Sequence, residues 1–194
     1  MPSRDPVFTP ELIRILKIFI FSSFGLVLLL SFFNSYRANN TGEDRTFRVT
    51  DANRIYFLNI RSIYYDRELR RDAGMTLFRH GKRLVSDSLP TLDLVILLHP
   101  INENAFIYFD LKNADWPIEI KATAGSEQQV FKFESGNNAD HFHFLQKLNP
   151  SIQSNAKFEL NVNNKTYSLW SEEIEMTALK SVITDYFRLL QQTN

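Results

Sequence analysis

Cysteine is absent from this chain, and glycine and proline are scarce, with six and seven residues among 194. The lack of cysteine excludes disulfide bonds, a thiolate nucleophile and the lipidated cysteine of a lipoprotein. It is compatible with an oxidising or a reducing compartment. The few glycines form neither a phosphate-binding loop nor a Gly-x-Ser-x-Gly nucleophile elbow. The sequence therefore lacks two common motifs of phosphoryl and acyl transfer.

A net charge is also lacking, because 22 basic and 22 acidic residues balance. Their distribution is uneven: residues 45–83 carry ten Lys and Arg against four Asp and Glu, and residues 84–194 carry eight against fourteen. One interpretation is that the basic block binds anionic lipid head groups or an acidic partner. The alternative is that its arginines pair with acidic residues of the second part. No nucleic-acid partner is expected, because no recognised motif occurs and the domain as a whole is not basic.

The longest apolar stretch covers residues 18–33 and carries no charge. Sixteen helical residues extend only about 24 Å, which is short of a hydrocarbon core about 30 Å thick. A membrane-spanning helix must therefore extend beyond the stretch. We predict that the helix begins at Pro10 and that its transmembrane part covers residues 18–36, with Arg14 and Lys17 reaching toward the head groups.

A cleaved signal peptide and a helix buried in a soluble domain are the alternatives to a membrane anchor. A cleaved signal peptide would share the charged start and the apolar run, but residues 33–38 lack a small-x-small cleavage pattern. A helix buried in a soluble domain is expected to have a polar face, which this stretch lacks. Arg14 and Lys17 flank the run directly and favour a cytoplasmic N terminus, although basic residues on the other side make the comparison nearly even.

The sequence thus predicts a single-pass signal-anchor protein of the cell envelope. A short cytoplasmic segment covers residues 1–17, the transmembrane helix residues 18–36, a polar linker residues 37–46, and one domain residues 47–194. The expected fold class is α+β: the transmembrane helix precedes an antiparallel β-rich, sandwich-like domain that ends in an amphipathic helix over residues 171–192. The domain is expected to be extracytoplasmic, in the periplasm or a lumen.

About eight strands are expected from apolar or alternating segments that turn residues separate. Residues 92–99 form a nearly continuous apolar run, which is typical of a central strand buried on both faces. Residues 66–72 are charged and are expected to form a loop or one helical turn. The predicted strands cover residues 55–65, 75–79, 92–99, 105–111, 118–123, 129–134, 157–162 and 165–170.

Residues 140–148 have an ambiguous pattern, because they alternate like a strand but also keep helical spacing. We predict a short helix that Asn138 or Asp140 caps and that Asn149-Pro150 ends.

The C-terminal segment has the strongest helical pattern of the domain. Ser171 is the expected N-cap, and acidic residues occupy the first turn. An apolar stripe is expected to pack over the β domain, with Lys180, Asp185, Arg188 and Gln191 facing away. The stripe comprises Leu179, Val182, Ile183, Tyr186, Phe187 and Leu190.

A single metal-like pattern occurs, His141-x-His143 with Asp140 beside it. On a strand both imidazoles would project to one face, and His80 and His99 could complete a site. On a helix the two rings diverge. We therefore predict no metal site, no cofactor and no catalytic residue.

Other candidate groups have structural explanations. Helix capping explains the paired carboxylates Glu172-Glu173, and Asp110 stands alone. Trp116 and Trp170 are isolated and are expected to pack at core edges, and core or interface packing is the preferred role of Tyr64-Tyr65.

Three functions are compatible with these features. The first is a non-enzymatic accessory or scaffold subunit of a membrane or envelope complex, with the lipid bilayer and envelope proteins as partners. The second is an extracytoplasmic binding module for a lipid, glycan or peptide. The third is a metal-dependent enzyme that uses His141 and His143. We expect the first, because an anchor and a β-rich domain are predicted while catalytic motifs are not. The sequence identifies no small-molecule substrate.

Overall fold

The computed structural model describes residues 9–32, 47–72, 74–99, 103–162 and 165–191. The chain divides into two compact units, Met1–Thr46 and Phe47–Asn194. The predicted α+β class is confirmed, with two antiparallel sheets in the second unit. Residues 1–8, the linker predicted over 37–46 and residue 192, the last residue of the predicted C-terminal helix, lie outside the described residues.

Helix α1, Pro10–Phe32, belongs to the first unit and begins where the sequence predicts, with the Thr9 hydroxyl accepting a hydrogen bond from the Leu12 amide at 3.2 Å. Its large apolar side chains are exposed from Leu12 to Leu28. The described residues contain no helix that is both long enough and apolar enough to cross a membrane. The transmembrane helix predicted over residues 18–36 is thus not confirmed and stays a prediction. Its residues 33–36 lie outside the described residues.

Four strands form sheet A, a meander in the order β1-β2-β3-β4 in which all neighbours are antiparallel. Strand β3 lies inside the sheet, and all but one of its residues are buried, as its continuous apolar run predicts. Strand β4 lies at an edge. The strands are β1 (Tyr65–Arg70), β2 (Met75–His80), β3 (Thr91–Leu98) and β4 (Ala105–Lys112).

Four more strands form sheet B in the order β6-β5-β7-β8. Along β5, buried Ile118, Ile120 and Ala122 alternate with partly exposed polar residues. One of the latter, Lys121, faces Glu159 across the strand pair with 3.4 Å between Nζ and Oε2. One face of the sheet is therefore apolar and the other polar. The strands are β5 (Ile118–Ala124), β6 (Glu127–Phe133), β7 (Lys157–Val162) and β8 (Lys165–Leu169).

The strand predicted over residues 55–65 is wrong, because most of this segment is helical. Helix α2, Asp51–Tyr56, begins after the N-cap Thr50 and continues as a π-helical turn, Phe57–Arg61, and a 3-10 turn, Ser62–Tyr64. Its burial does not follow a period of two, since Phe57 and Ser62 are the buried residues between 51 and 64. Packing of the Phe57 ring on the Phe78 ring, 5.1 Å away, outweighs the β propensity of the neighbouring residues.

The loop or helical turn predicted over residues 66–72 is also wrong for its first part, which forms β1. Ion pairs stabilise this charged edge strand, since Glu68 binds Arg79 of β2 and Asp66 binds Arg83, which follows β2. Apolar alternation is absent from this strand, so a search for that pattern does not find it.

Helix α3, Asn138–Gln153, confirms the helical interpretation but differs at both ends. Its N-cap is Asn137, whose side chain accepts from the Asp140 amide at 3.2 Å, while the Asp140 carboxylate accepts from the Asn137 amide at 2.9 Å. The helix also passes through Pro150, at a cost of about 3 kcal/mol. Burial of Ile152, which is 0 % exposed, offsets this cost.

Helix α4, Glu173–Leu189, is the predicted C-terminal helix, and its N-cap is Glu172 rather than Ser171. The predicted apolar stripe is buried throughout. The prediction that Asp185 faces away is wrong, because this side chain is 5 % exposed. Asp185 lies three residues after Val182 and four before Leu189, so it belongs to the buried face.

One hydrophobic core contains residues of both sheets and of α2's π turn, α3 and α4. Helix α3 lies against β4, and α4 lies against β3. The Trp170 indole, just after β8, donates to the Leu92 carbonyl of β3 at 2.8 Å and so joins the two sheets.

Candidate functional site

His141, the strongest metal-ligand candidate of the sequence, has a structural role. It is 3 % exposed, and its Nδ1 accepts a hydrogen bond from the Phe109 amide at 3.1 Å. Phe109 belongs to the edge strand β4, so the imidazole satisfies a backbone donor that no neighbouring strand can reach. Aromatic rings surround it, with Tyr108 at 4.5 Å and Phe133 at 4.8 Å between centroids. Burial lowers the pKa of His141 to about 4, which keeps the ring neutral and able to accept.

The other residues of the metal hypothesis do not join His141. His143 is exposed, and the Asp140 carboxylate is engaged in the N-terminal cap of α3. His80 Nδ1 accepts from the Lys82 amide at 3.2 Å, and burial lowers its pKa. Within the described ranges, no group of three or more His, Asp or Glu side chains could hold a metal ion.

A buried ionic network that the sequence interpretation missed connects α4 to the segment after α2. Asp185 accepts from Arg61 Nε at 2.7 Å and from the Tyr65 hydroxyl at 2.7 Å. Burial raises the pKa of Tyr65, and the nearby Asp185 carboxylate raises it further. The hydrogen bond to Asp185 raises the pKa of Arg61. The tyrosine therefore remains a neutral donor and the arginine a cation, which fits a structural network rather than a proton relay.

A small cavity lies between sheet A and α4. Its volume is about 20 Å³, and His80, Arg83, Asp93, Trp170 and Glu175 are among the side chains that line it. Arg83 Nε is buried without a hydrogen-bond partner in the described part of the chain. A space of this size accommodates one water molecule, so it has no room for a substrate.

Asp93, one of the cavity residues, is a buried carboxyl group with a raised pKa. It is 8 % exposed and lies directly opposite Asp110 in the β3–β4 pair. Arg79 binds Asp110, with 3.0 Å between Nε and Oδ2, but no hydrogen bond to Asp93 is found within the described residues. Burial raises the pKa of Asp93 to about 6, and Arg83 opposes this shift.

A groove of about 610 Å³ lies where β7 and β8 meet the start of α4. Trp170 and Phe158 form part of its wall, and both side chains are almost fully buried. Charged groups of both signs lie around it, including Lys157, Lys180 and Glu173. Trp170 has a φ of 49°, a left-handed conformation that is rare for a bulky residue.

Five basic residues of the block 45–83 form ion pairs in the described part of the chain, which agrees in part with the second interpretation of the sequence. Arginine–carboxylate pairs involve both the acidic second part of the chain and acids of the block itself. Arg67 and Lys82 lie in this block and have no acidic partner in the described part of the chain. The pairs are Arg48–Glu103, Arg61–Asp185, Arg70–Asp72, Arg79–Glu68, Arg79–Asp110 and Arg83–Asp66.

The remaining candidates of the sequence have separate positions. Trp116 packs at a core edge, with 5.3 Å between its ring and that of Phe133. Tyr65 is buried beside Phe57, whereas Tyr64 is 49 % exposed. The pair Tyr64-Tyr65 thus divides between the core and the surface.

Comparison of the chain with protein-family models, with curated proteins and with solved structures finds no match. The function is therefore argued from the chemistry of its own residues.

Proposed function

We propose that this protein is a membrane-anchored, non-enzymatic accessory or scaffold subunit of a membrane or cell-envelope complex, with its domain on the extracytoplasmic side. Helix α1 carries the proposal. Ile18, Phe19, Ile20 and Phe21 are all more than half exposed. Successive helical residues point about 100° apart, so these four cover every side of the helix.

Such a helix is costly in water. Burying one Leu, Ile or Phe side chain contributes about 1.5–3 kcal/mol, and α1 exposes many of them. A lipid bilayer is the partner that covers an apolar helix on all sides at once.

The charges near the start of α1 are compatible with this proposal. Glu11, Arg14 and Lys17 lie in its first turns, and the uncharged stretch begins at Ile18. Long basic side chains place their charges in the head-group region while their methylene groups stay in the apolar layer. Local thinning of the bilayer also accommodates a short apolar stretch at modest cost.

The contacts of the ionisable groups support a non-enzymatic role. His141 and His80 accept backbone hydrogen bonds, Asp185 holds a structural network, and Asp140 caps a helix. A catalytic acid or base must reach a substrate, whereas His141, His80 and Asp185 are buried within packed side chains.

Carbonate extraction of membranes from cells that produce the full chain tests the anchor. The wild type is expected to stay in the membrane pellet. Leu26→Arg places a charge in the apolar stretch, at a cost of about 2.5–3.5 kcal/mol near the bilayer centre, and should shift protein to the supernatant. Val130→Arg is the matched control, because Val130 is 49 % exposed in β6 of the domain. A wild-type chain that carbonate releases would refute the anchor.

Mild detergent extraction followed by size exclusion tests the subunit role. A complex larger than the chain, whose composition repeats between preparations, is expected. A monodisperse monomer without a co-purifying protein would contradict this part of the proposal.

The groove beside Trp170 favours a second function, a binding module for a peptide. Its volume of about 610 Å³ is within the range of ligand sites. An aromatic wall with lysine and glutamate side chains around it fits a peptide backbone with mixed side chains better than an acyl chain, which has no charge to pair.

Tryptophan fluorescence of a Trp116→Phe variant, which retains Trp170 alone, would test this function. A mixed-sequence peptide pool should shift the emission, and Met176→Asp in the groove wall should abolish the shift. Unchanged emission across the pool would exclude peptide binding at this groove.

A further inference from the structure

The segment after α2 exposes a group of large apolar side chains, here called the docking face and defined by Ile60, Ile63 and Tyr64. Their exposed fractions are 52 %, 73 % and 49 %. Ile63 and Tyr64 follow Ile60 by three and four positions; Ile60 lies in the π turn, and Ile63 and Tyr64 lie in the 3-10 turn. The same segment turns Phe57 and Ser62 inward. Phe57 and Ser62 therefore attach this segment to the rest of the domain. The opposite side of the segment is apolar and exposed, and it does not belong to the core.

A tyrosine among exposed isoleucines is typical of a surface that meets the head-group region of a bilayer, because its ring is apolar and its hydroxyl is polar. The Arg61 guanidinium lies over the Tyr64 ring, 5.0 Å from the centroid, and Asp185 neutralises its charge. Because Arg61 and Asp185 together carry no net charge, the contact of Arg61 with Tyr64 adds no charge to the docking face.

Two cations without an acidic partner in the described ranges lie beside the docking face. Lys82 follows Gly81, whose amide donates to the Tyr64 carbonyl at 2.8 Å. Arg67 lies three residues after Tyr64, with its guanidinium 5.4 Å from the Phe78 ring centroid. The acids between Tyr64 and Arg70, Asp66 and Glu68, are bound by arginines. Lys82 and Arg67 therefore keep their positive charges close to Tyr64 in the fold.

We propose that the docking face binds the surface of the bilayer that holds α1, inserting Ile60, Ile63 and Tyr64 among anionic phospholipid head groups. This inference rests on the proposed membrane anchor. Charge complementarity and the position of the face in the chain support a lipid surface as its occupant. Fourteen residues, 33–46, separate α1 from the described start of the domain. Even a fully extended chain of this length reaches only about 50 Å.

Tethering makes a weak contact sufficient. A domain held this close to a membrane has an effective concentration in the millimolar range with respect to it, so a few apolar side chains can maintain docking. Each cation near an anionic surface contributes about a fivefold preference. The proposal requires anionic lipid on the side of the domain, whichever side that is.

The absence of cysteine allows a direct test on the full chain, because one introduced cysteine gives a single label. The probe is an NBD fluorophore on Ile63→Cys in proteoliposomes of phosphatidylcholine with or without 30 % phosphatidylserine. The matched control is Gln128→Cys, an exposed position of β6 in sheet B. Doxyl-labelled lipid should quench the probe at residue 63 in anionic vesicles, and the control probe should stay unquenched.

The cations provide the second readout. Replacing Arg67 and Lys82 with Gln should lower the ratio of docked to undocked domain about thirtyfold in anionic vesicles. Replacing Lys147 and Lys165, which are also exposed, should leave the ratio unchanged. Urea midpoints of the variants, measured in detergent, show whether the domain stays folded.

The outcomes separate this inference from the anchor. If the full chain floats with vesicles but the probe at residue 63 stays in water in both lipids, the docking face does not bind the membrane. A protein partner would then be its occupant. Equal quenching at residues 63 and 128 would also overturn the inference, because it would show nonspecific adsorption. A chain that does not float with vesicles would refute the anchor itself.

Discussion

Asp93 should destabilise the folded protein at neutral pH, and Asp93→Asn should remove this effect. The pKa of Asp93 rises from an ordinary 3.8 to about 6 because the carboxylate is buried opposite Asp110. Between these pH values the folded state binds a proton that the unfolded chain has released. The contribution of Asp93 to stability therefore falls as the pH rises from about 4 to 6, and its full cost is present at pH 7.

The size of the effect follows from the shift. A change of about two pKa units corresponds to about 3 kcal/mol, which is an upper estimate because 8 % of the residue still contacts water. Asparagine has nearly the same shape without the charge. Asp93→Asn should thus gain about 1–3 kcal/mol at pH 7 and nearly nothing at pH 4.

Urea unfolding of the full chain in a non-ionic detergent, followed by circular dichroism between pH 4 and pH 8, measures this difference. Asp87→Asn is the matched control, because Asp87 is exposed in the connection before β3. A variant no more stable than the wild type at pH 7 would refute the reasoning. A gain that is equal at pH 4 and pH 7 would show that packing, not charge, is responsible.

Three further predictions use the same unfolding assay. Asp185→Ala should cost about 3 kcal/mol, because it leaves the half-buried Arg61 without its acid; a loss below 1 kcal/mol would contradict the buried network. The contribution of His141 to stability should be lost as the pH falls from 6.5 toward 4, because the unfolded chain protonates His141 and the buried ring does not; it opposes the contribution of Asp93 over this range. The stability of His141→Gln relative to the wild type should therefore rise as the pH falls through this range, and a difference that does not change with pH would be the contrary result. Ile183→Ala in the core should cost about 2–5 kcal/mol, whereas Ile63→Ala on the docking face should stay within about 0.5 kcal/mol of the wild type; similar losses would show that the docking face supports the fold.

Local patterns predicted most of sheets A and B. Residues 75–79, 92–99 and 118–123 combine β-branched or aromatic residues with clear turn residues, and each segment forms a strand close to its predicted bounds. Glycine at 125, with a φ of 61°, permits the turn between β5 and β6.

The errors occur where contacts distant in sequence outweigh local preference. Residues 55–65 have a strand-like composition, but packing of Phe57 on Phe78 and Tyr65 favours a helical path. Residues 66–70 have the composition of a loop, but ion pairs with Arg79 and Arg83 hold them in a strand. Both errors arise because the stabilising partner lies outside the segment.

The sequence alone determined the apolar N-terminal stretch, the hairpins of sheet B and the buried stripe of α4, because periodicity and turn chemistry depend on neighbouring residues. Only the tertiary structure decided which polar groups are buried. Asp185, His141 and Asp93 owe their environments to residues 32 to 124 positions away or on a facing strand. Desolvation and pairing depend on these distant neighbours, which periodicity does not specify.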